Sequence, residues 1–157
     1  MNVSLAEVKT ARKPYILATS SLGSCVAVIL YDESKGVGSM AHIMLPDINL
    51  AKAKDNRAKF ANTAVEVMLK EMLGQGAAKS RIKAKIVGGA NMFPTVNQGN
   101  QVHIGLRNVA AVKNELKRKK IMLIAEDTEG NYSRSVKFFI ETKVVRIKNL
   151  FHGEKEI

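Results

Sequence analysis

The chain carries one cysteine, Cys25, and three histidines, one of which, His42, lies a short distance downstream. A thiol attacks a carbonyl only as its thiolate. It therefore needs a base to take its proton, donors to hold the oxyanion and a third group to orient the base. Candidates for each are close in sequence. Thr19-Ser20-Ser21-Leu22-Gly23-Ser24-Cys25 reads as a small-residue loop, which can leave backbone N–H groups unpaired beside Cys25. His42 stands between Ala41 and Ile43, an apolar setting in which an imidazole needs a hydrogen-bond partner, and Thr19 can supply one. Against this, a single cysteine in a chain of this kind is more often a small core residue than a nucleophile. A histidine on an apolar strand is likewise more often a satisfied core or edge residue than a base. The residue pattern leaves both readings open, although the pair carries more weight than either member.

The elements that must bring these residues together are legible in outline. Cys25 to Tyr31 is a continuous apolar, β-branched run, Asp32 to Gly36 has turn chemistry, and Val37 to Leu45 returns. This predicts a buried hairpin with Cys25 at its entrance and His42 near its exit, so that antiparallel pairing brings them together. Strands are also expected at Val3 to Val8, Tyr15 to Thr19, Ile82 to Val87, Ile121 to Ala125, Ser135 to Ile140 and Lys143 to Ile147. Phe60, Ala61, Ala64, Val65, Met68 and Met72 share one helical face, which predicts a helix over Asp55 to Met72 stopped by Gly74-Gln75-Gly76. Val109, Val112 and Leu116 predict a second over Arg107 to Arg118, with its basic run Lys117 to Lys120 where the helix dipole favours cations. Gly88-Gly89 suits a tight turn or a close backbone approach, residues 93–101 read as a polar loop, and His152 to Ile157 as a frayed end. The expectation is an α/β sandwich in which two main helices cover a mixed, largely antiparallel sheet.

At 157 residues and 46% hydrophobic content the chain suits one domain, residues 1–157, with a core that needs neither disulfides nor a structural metal. Its apolar runs fall far short of the roughly 20 residues that span a bilayer, and the first residues lack a secretion-signal pattern, so a cytoplasmic protein is expected. A formal charge of +11 implies attraction to an acidic partner. Nucleic acid is a weak candidate, because tryptophan is absent, aromatic content is 5% and no nucleic-acid motif is present. The basic clusters at Lys113 to Lys120 and Lys143 to Lys148 read as solvated faces.

Several ordered blocks are similar to one known family. Thr19 to Val28, followed by Met40-Ala41-His42-Ile43-Met44-Leu45-Pro46-Asp47, resembles the active-site region of the CheD family of chemoreceptor glutamine deamidases, including the distance between Cys and His. Lys85 to Phe93 resembles its glycine-rich block, Ile104-Gly105-Leu106-Arg107-Asn108 the helix start that follows, and Ala125-Glu126-Asp127-Thr128 with Gly130 and Arg134-Ser135-Val136 its C-terminal block. The likeness runs from about Ala18 to Glu141. It departs at Ser21, where the family often has Gly, and at Glu129-Gly130, where it often has a Gly pair.

The resemblance implies a three-layer α/β/β sandwich, related in its catalytic core to the cytotoxic necrotizing factor deamidase toxins. It implies Cys25 as nucleophile, His42 as general base and Thr19 as the group that orients His42, with no cofactor and no metal. Pairing with His42 is expected to lower the Cys25 pKa. The implied substrates are glutamines on the cytoplasmic helices of chemoreceptors, converted to glutamate through a thioester, with hydrolysis of glutamyl methyl esters as a related activity. A CheC-type phosphatase is the implied second partner. The rival reading is a non-catalytic regulatory module that docks on that phosphatase and on receptors. Asp127 and Arg134 are left as either an ion pair or substrate-binding groups.

Overall fold

The computed structural model describes residues 1–93 and 103–157; the polar loop expected over residues 93–101 falls, from residue 94 on, outside the described residues. Its centre is a strand buried on both faces. In β3 (Val26–Asp32) every residue is buried, and successive side chains point to opposite sides. Val26, Val28 and Leu30 join one apolar cluster, whereas Ala27, Ile29 and Tyr31 join a second. That is why the run is continuously apolar rather than alternating.

Around it lies a sheet in the order β1 (Val8–Arg12), β4 (Val37–Ile43), β3, β5 (Lys83–Gly88), β6 (Met122–Thr128). Its neighbours are antiparallel except β5 and β6, which are parallel and joined through a helix. Two helices, α1 (Ala61–Gly74) and α2 (Ile104–Arg118), cover one face. α1 buries Ala61, Ala64, Val65, Met68, Leu69 and Met72, a stripe at intervals of three and four residues. The other face is covered by an antiparallel sheet in the order β2 (Ile16–Leu22), β7 (Arg134–Phe139), β8 (Val145–Asn149), β9 (Gly153–Glu156). In β7 burial alternates: Val136 and Phe138 turn inward, while Ser135 and Lys137 face solvent. The result is a three-layer α/β/β sandwich with two apolar layers, one on each side of β3.

Several expected boundaries move, each for an identifiable reason. Residues 3–7 are not a strand. Val3 N–H donates to Ala18 O and Ala6 N–H to His42 O, so this stretch bridges an edge of each sheet, turning at Ala6 (φ 56°). The strand expected at Tyr15 to Thr19 continues through Leu22, where a loop was expected, with a bulge between Thr19 and Leu22, so only Gly23 to Cys25 connect β2 to β3. α1 begins at Ala61 rather than Asp55, behind a short 3-10 turn at Arg57–Lys59 capped by Asn56. α2 begins three residues earlier than expected, at Ile104. The end at 152–157 is not frayed: Gly153–Glu156 pairs with β8, and Arg146 forms ion pairs with Glu154 and Glu156. An edge strand held by backbone bonds needs no apolar pattern, which is why its polar sequence concealed it.

The two sheets meet closely at Gly38 on β4, where an added Cβ would lie 2.6 Å from Phe138 Cε1 and 2.9 Å from Ile140 Cγ1, both on buried side chains. Gly→Ala in a strand ordinarily stabilises by about 0.4–1 kcal/mol through the unfolded chain. At Gly38 the sign should reverse: overpacking predicts a loss of about 1–3 kcal/mol. A urea titration of Gly38→Ala tests this, and a midpoint at or above the parent's would refute the tight packing.

Candidate active site

β3 and β4 pair in the register Val26 to Ile43 and Ala27 to His42. Cys25, two residues before Ala27, therefore lies diagonally across from His42 on the same face of the sheet, the face turned toward the second sheet. Cys25 is half-buried, and His42 is 4% exposed. The predicted juxtaposition on one hairpin is present.

Thr19 reaches the pair from the other sheet. Its Oγ1 lies 2.8 Å from His42 Nδ1 and also donates to Val3 O at 2.8 Å. The proton arithmetic assigns the tautomer. A carbonyl oxygen only accepts, so the single hydroxyl proton of Thr19 goes to Val3, and Thr19 must accept from a proton on His42 Nδ1. The neutral imidazole then carries its bare lone pair on Nε2. That atom is buried and has no hydrogen-bond partner among the described residues. The His42 backbone is held as well, with its N–H on Glu7 O at 3.0 Å and its carbonyl on Ala6 N–H at 3.0 Å.

The loop before the thiol is fixed by its carbonyls. Gly23 O accepts from Ala90 N–H at 2.9 Å and Cys25 O from Gly89 N–H at 2.8 Å. In an antiparallel ladder Cys25 and Gly89 would exchange a second bond. Gly88 (φ 116°) and Gly89 (φ 70°) turn the chain away instead, and neither Ser24 N–H nor Cys25 N–H donates to a protein acceptor among the described residues. A Cβ on Gly88 would overlap the Cys25 carbonyl oxygen, so the close approach requires glycine. The arrangement leaves two consecutive backbone donors beside a thiol and a bare imidazole nitrogen.

Burial pushes the Cys25 thiol up and the His42 imidazole down, and no charged side chain contributes to either shift. The expectation that pairing with His42 lowers the Cys25 pKa is thus not met in this geometry. No hydrogen bond joins Sγ to Nε2, and both shifts favour a neutral thiol beside a neutral imidazole.

Asp127 and Arg134 form a buried ion pair at 3.0 Å, and Arg134 also donates to Glu129 O and Tyr132 O. With Arg134 2% exposed and its guanidinium spent on these partners, the pair is structural. The carbonyl of Val3 and the side chain of Asn108 are features that the residue pattern did not assign to the site. Asn108 was detectable in principle, since it lies on the same face of α2 as Val112 and a polar group there needs a buried partner.

Among the described residues, no helix is long and apolar enough to cross a membrane. The family model described as CheD chemotactic sensory transduction matches residues 44–149. Full-length relatives extend the likeness across Thr19, Cys25 and His42. The chemoreceptor glutamine deamidase CheD of Halalkalibacterium halodurans is 43% identical over 100% of this chain and 98% of its own length. The protein of that name from Bacillus subtilis is 40% identical over 100% of this chain and 95% of its own. A solved structure, the hypothetical protein YfiH of Bacillus licheniformis, is 15% identical with a TM-score of 0.45 over 77% of this chain and 49% of its own, too distant a likeness to bear on function. With the family model matched over most of its length and relatives at this identity aligned end to end, the chain belongs to the CheD family.

Proposed function

We propose that this chain deamidates glutamine side chains of chemoreceptors, with Cys25 as nucleophile, His42 as base and Thr19 as the residue that sets the His42 tautomer. The observation that carries the roles is the bare, buried Nε2 of His42 on the same sheet face as Cys25, its Nδ1 committed to Thr19. The reaction class follows from the names of the full-length relatives.

A carboxamide is a poor electrophile, so the order of proton movements matters. As Sγ attacks the glutamine side-chain carbonyl carbon, its proton passes to His42 Nε2, which makes His42 a general base rather than one half of a preformed ion pair. The carbonyl oxygen gains negative charge and is held by the N–H groups of Cys25 and Ser24, which have no protein acceptor among the described residues. The imidazolium then gives its proton to the departing nitrogen, ammonia leaves, and a thioester remains on Cys25. Water, losing a proton to Nε2, attacks the thioester; glutamate leaves and the thiol is restored. A glutamyl methyl ester fits the same scheme with methanol leaving. The proposed substrate segments are cytoplasmic receptor helices, which puts the reaction in the cytoplasm, and the chain's net positive charge would speed encounter with acidic helices without choosing the site. A CheC-type phosphatase is the proposed regulatory partner.

Cys25→Ser separates enzyme from docking module. Mass spectrometry of a receptor fragment should show the small mass gain of deamidation with the parent and background conversion with Cys25→Ser, while binding persists; equal conversion by both would exclude a thioester route. Thr19→Val removes the acceptor at Nδ1 and should lower kcat by about tenfold or more, with Thr19→Ser retaining most of it; unchanged turnover in Thr19→Val would remove the hydroxyl from the mechanism. The base must be neutral, and burial lowers the His42 pKa, so activity should persist as pH falls below the ordinary imidazole range and drop only as His42 protonates. An acidic limb of the pH–rate profile at or above an ordinary imidazole pKa would contradict this.

A further inference from the structure

Asn108, on the second turn of α2, has no solvent exposure, and its Nδ2 donates to two carbonyls at once: Ser24 O at 3.0 Å and Met44 O at 2.9 Å. The orientation of the amide is dictated by its partners, since two carbonyl oxygens can face only its NH2 group. Its Oδ1 is then turned away, buried and without a partner among the described residues. Its helix neighbours Val109 and Val112 belong to the apolar layer. A position that served only packing would do better with such a residue than with an amide carrying an unsatisfied oxygen.

The two carbonyls locate what the amide does. Ser24 immediately precedes the thiol residue, and Met44 follows His42 by two positions, just past Val26 to Ile43, the last register pair of β3 and β4. Asn108 therefore spans the open end of the hairpin where the ladder stops. The Ser24–Cys25 peptide is planar and trans, so holding Ser24 C=O on Asn108 aims the Cys25 N–H the opposite way, away from Asn108. Asn108 approaches from the helix side of the sheet, whereas Cys25 and His42 occupy the opposite face.

We propose that Asn108 is a positioning residue that fixes the spacing of the nucleophile and base strands and presents the Cys25 N–H to the oxyanion. The proposal rests on the deamidase reading for its catalytic consequence, but not for its effect on the thiol. Asn108→Ala removes both bonds, and Asn108→Ser keeps one donor. Val112→Ala, in the same helix and the same apolar layer, is a packing control that makes no hydrogen bond to the loop.

At a temperature where circular dichroism shows each variant folded, kcat and KM for receptor-fragment deamidation and the rate of Cys25 alkylation by iodoacetamide are measured. Asn108→Ala should lose about tenfold or more in kcat with KM within about twofold of the parent, and its alkylation should slow, as misplacement of reacting groups predicts. Asn108→Ser should fall between, and Val112→Ala should keep the parent's kcat and alkylation rate. The proposal is overturned if Asn108→Ala matches the parent in both readouts, if Val112→Ala loses as much as Asn108→Ala, or if both Asn108 variants fail to fold. A parent protein without turnover would refute the deamidase reading instead, and the alkylation rates would still decide the role of Asn108.

Discussion

The hydroxyl of Thr19 has one proton, and the carbonyl of Val3 takes it at 2.8 Å. The tautomer of His42 follows from that bond. Thr19 can then only accept from Nδ1, the imidazole can be neutral only with its proton on Nδ1, and Nε2 is left as a base. Removing Val3 from its place would let the hydroxyl turn to donate, and the tautomer would no longer be assigned. The N-terminal segment is placed accordingly. Val3 is bonded to Ala18 on one sheet, and Ala6 and Glu7 to His42 on the other, so the orienting carbonyl is supplied by a stretch that ties the two sheets together.

Cys25 is held by a comparable series of turns. Arg134, buried against Asp127, donates to Glu129 O; Glu129 N–H donates to Gly88 O at 2.9 Å and Asn91 N–H to Gly130 O at 2.8 Å; Gly89 and Ala90 then hold the carbonyls of Cys25 and Gly23. Burial alone would raise the Asp127 carboxyl, and the hydrogen bonds of Arg134 and Lys155 outweigh it, keeping the carboxylate charged. Replacing such an ion pair with apolar residues is often neutral in stability, so its value here lies in the geometry of the Glu129-Gly130 turn. The two departures from the family pattern fit this account. Ser21 (φ 59°) and Glu129 (φ 67°) both adopt the left-handed conformation that glycine reaches without penalty, so each carries strain of about 1–2 kcal/mol that the surrounding bonds must hold.

The two apolar layers explain how a half-buried thiol and a buried imidazole coexist with a well-packed sheet. β3 has no polar face to offer, so chemistry enters only where the strand ends, at the Gly23 to Cys25 connection, and at His42, where the facing strand supplies Thr19 instead of an aliphatic group. Asn108 closes the same edge from the helix layer. Thr19 from the second sheet and Asn108 from the helix layer thus meet at the edge of the central sheet that carries Cys25 and His42.

Local pattern settled what local periodicity can settle. The continuous apolar run of Cys25 to Tyr31, the turn at Asp32 to Gly36 and the returning strand determined a hairpin that brings Cys25 and His42 together, while the register that puts both on one face, Ala27 opposite His42, came from the structure. The helical stripes of α1 and α2 were legible for the same reason, although their starts were not, because 3-10 turns and caps blur the first turn. Tertiary structure decided the rest. That Thr19 belongs to a strand of the second sheet, that Val3 O receives its proton, that 153–156 completes that sheet and that Asn108 spans two carbonyls all depend on which layers pack together. Periodicity orients a side chain relative to its own element, whereas these contacts depend on the placement of a different element, which no local spacing records.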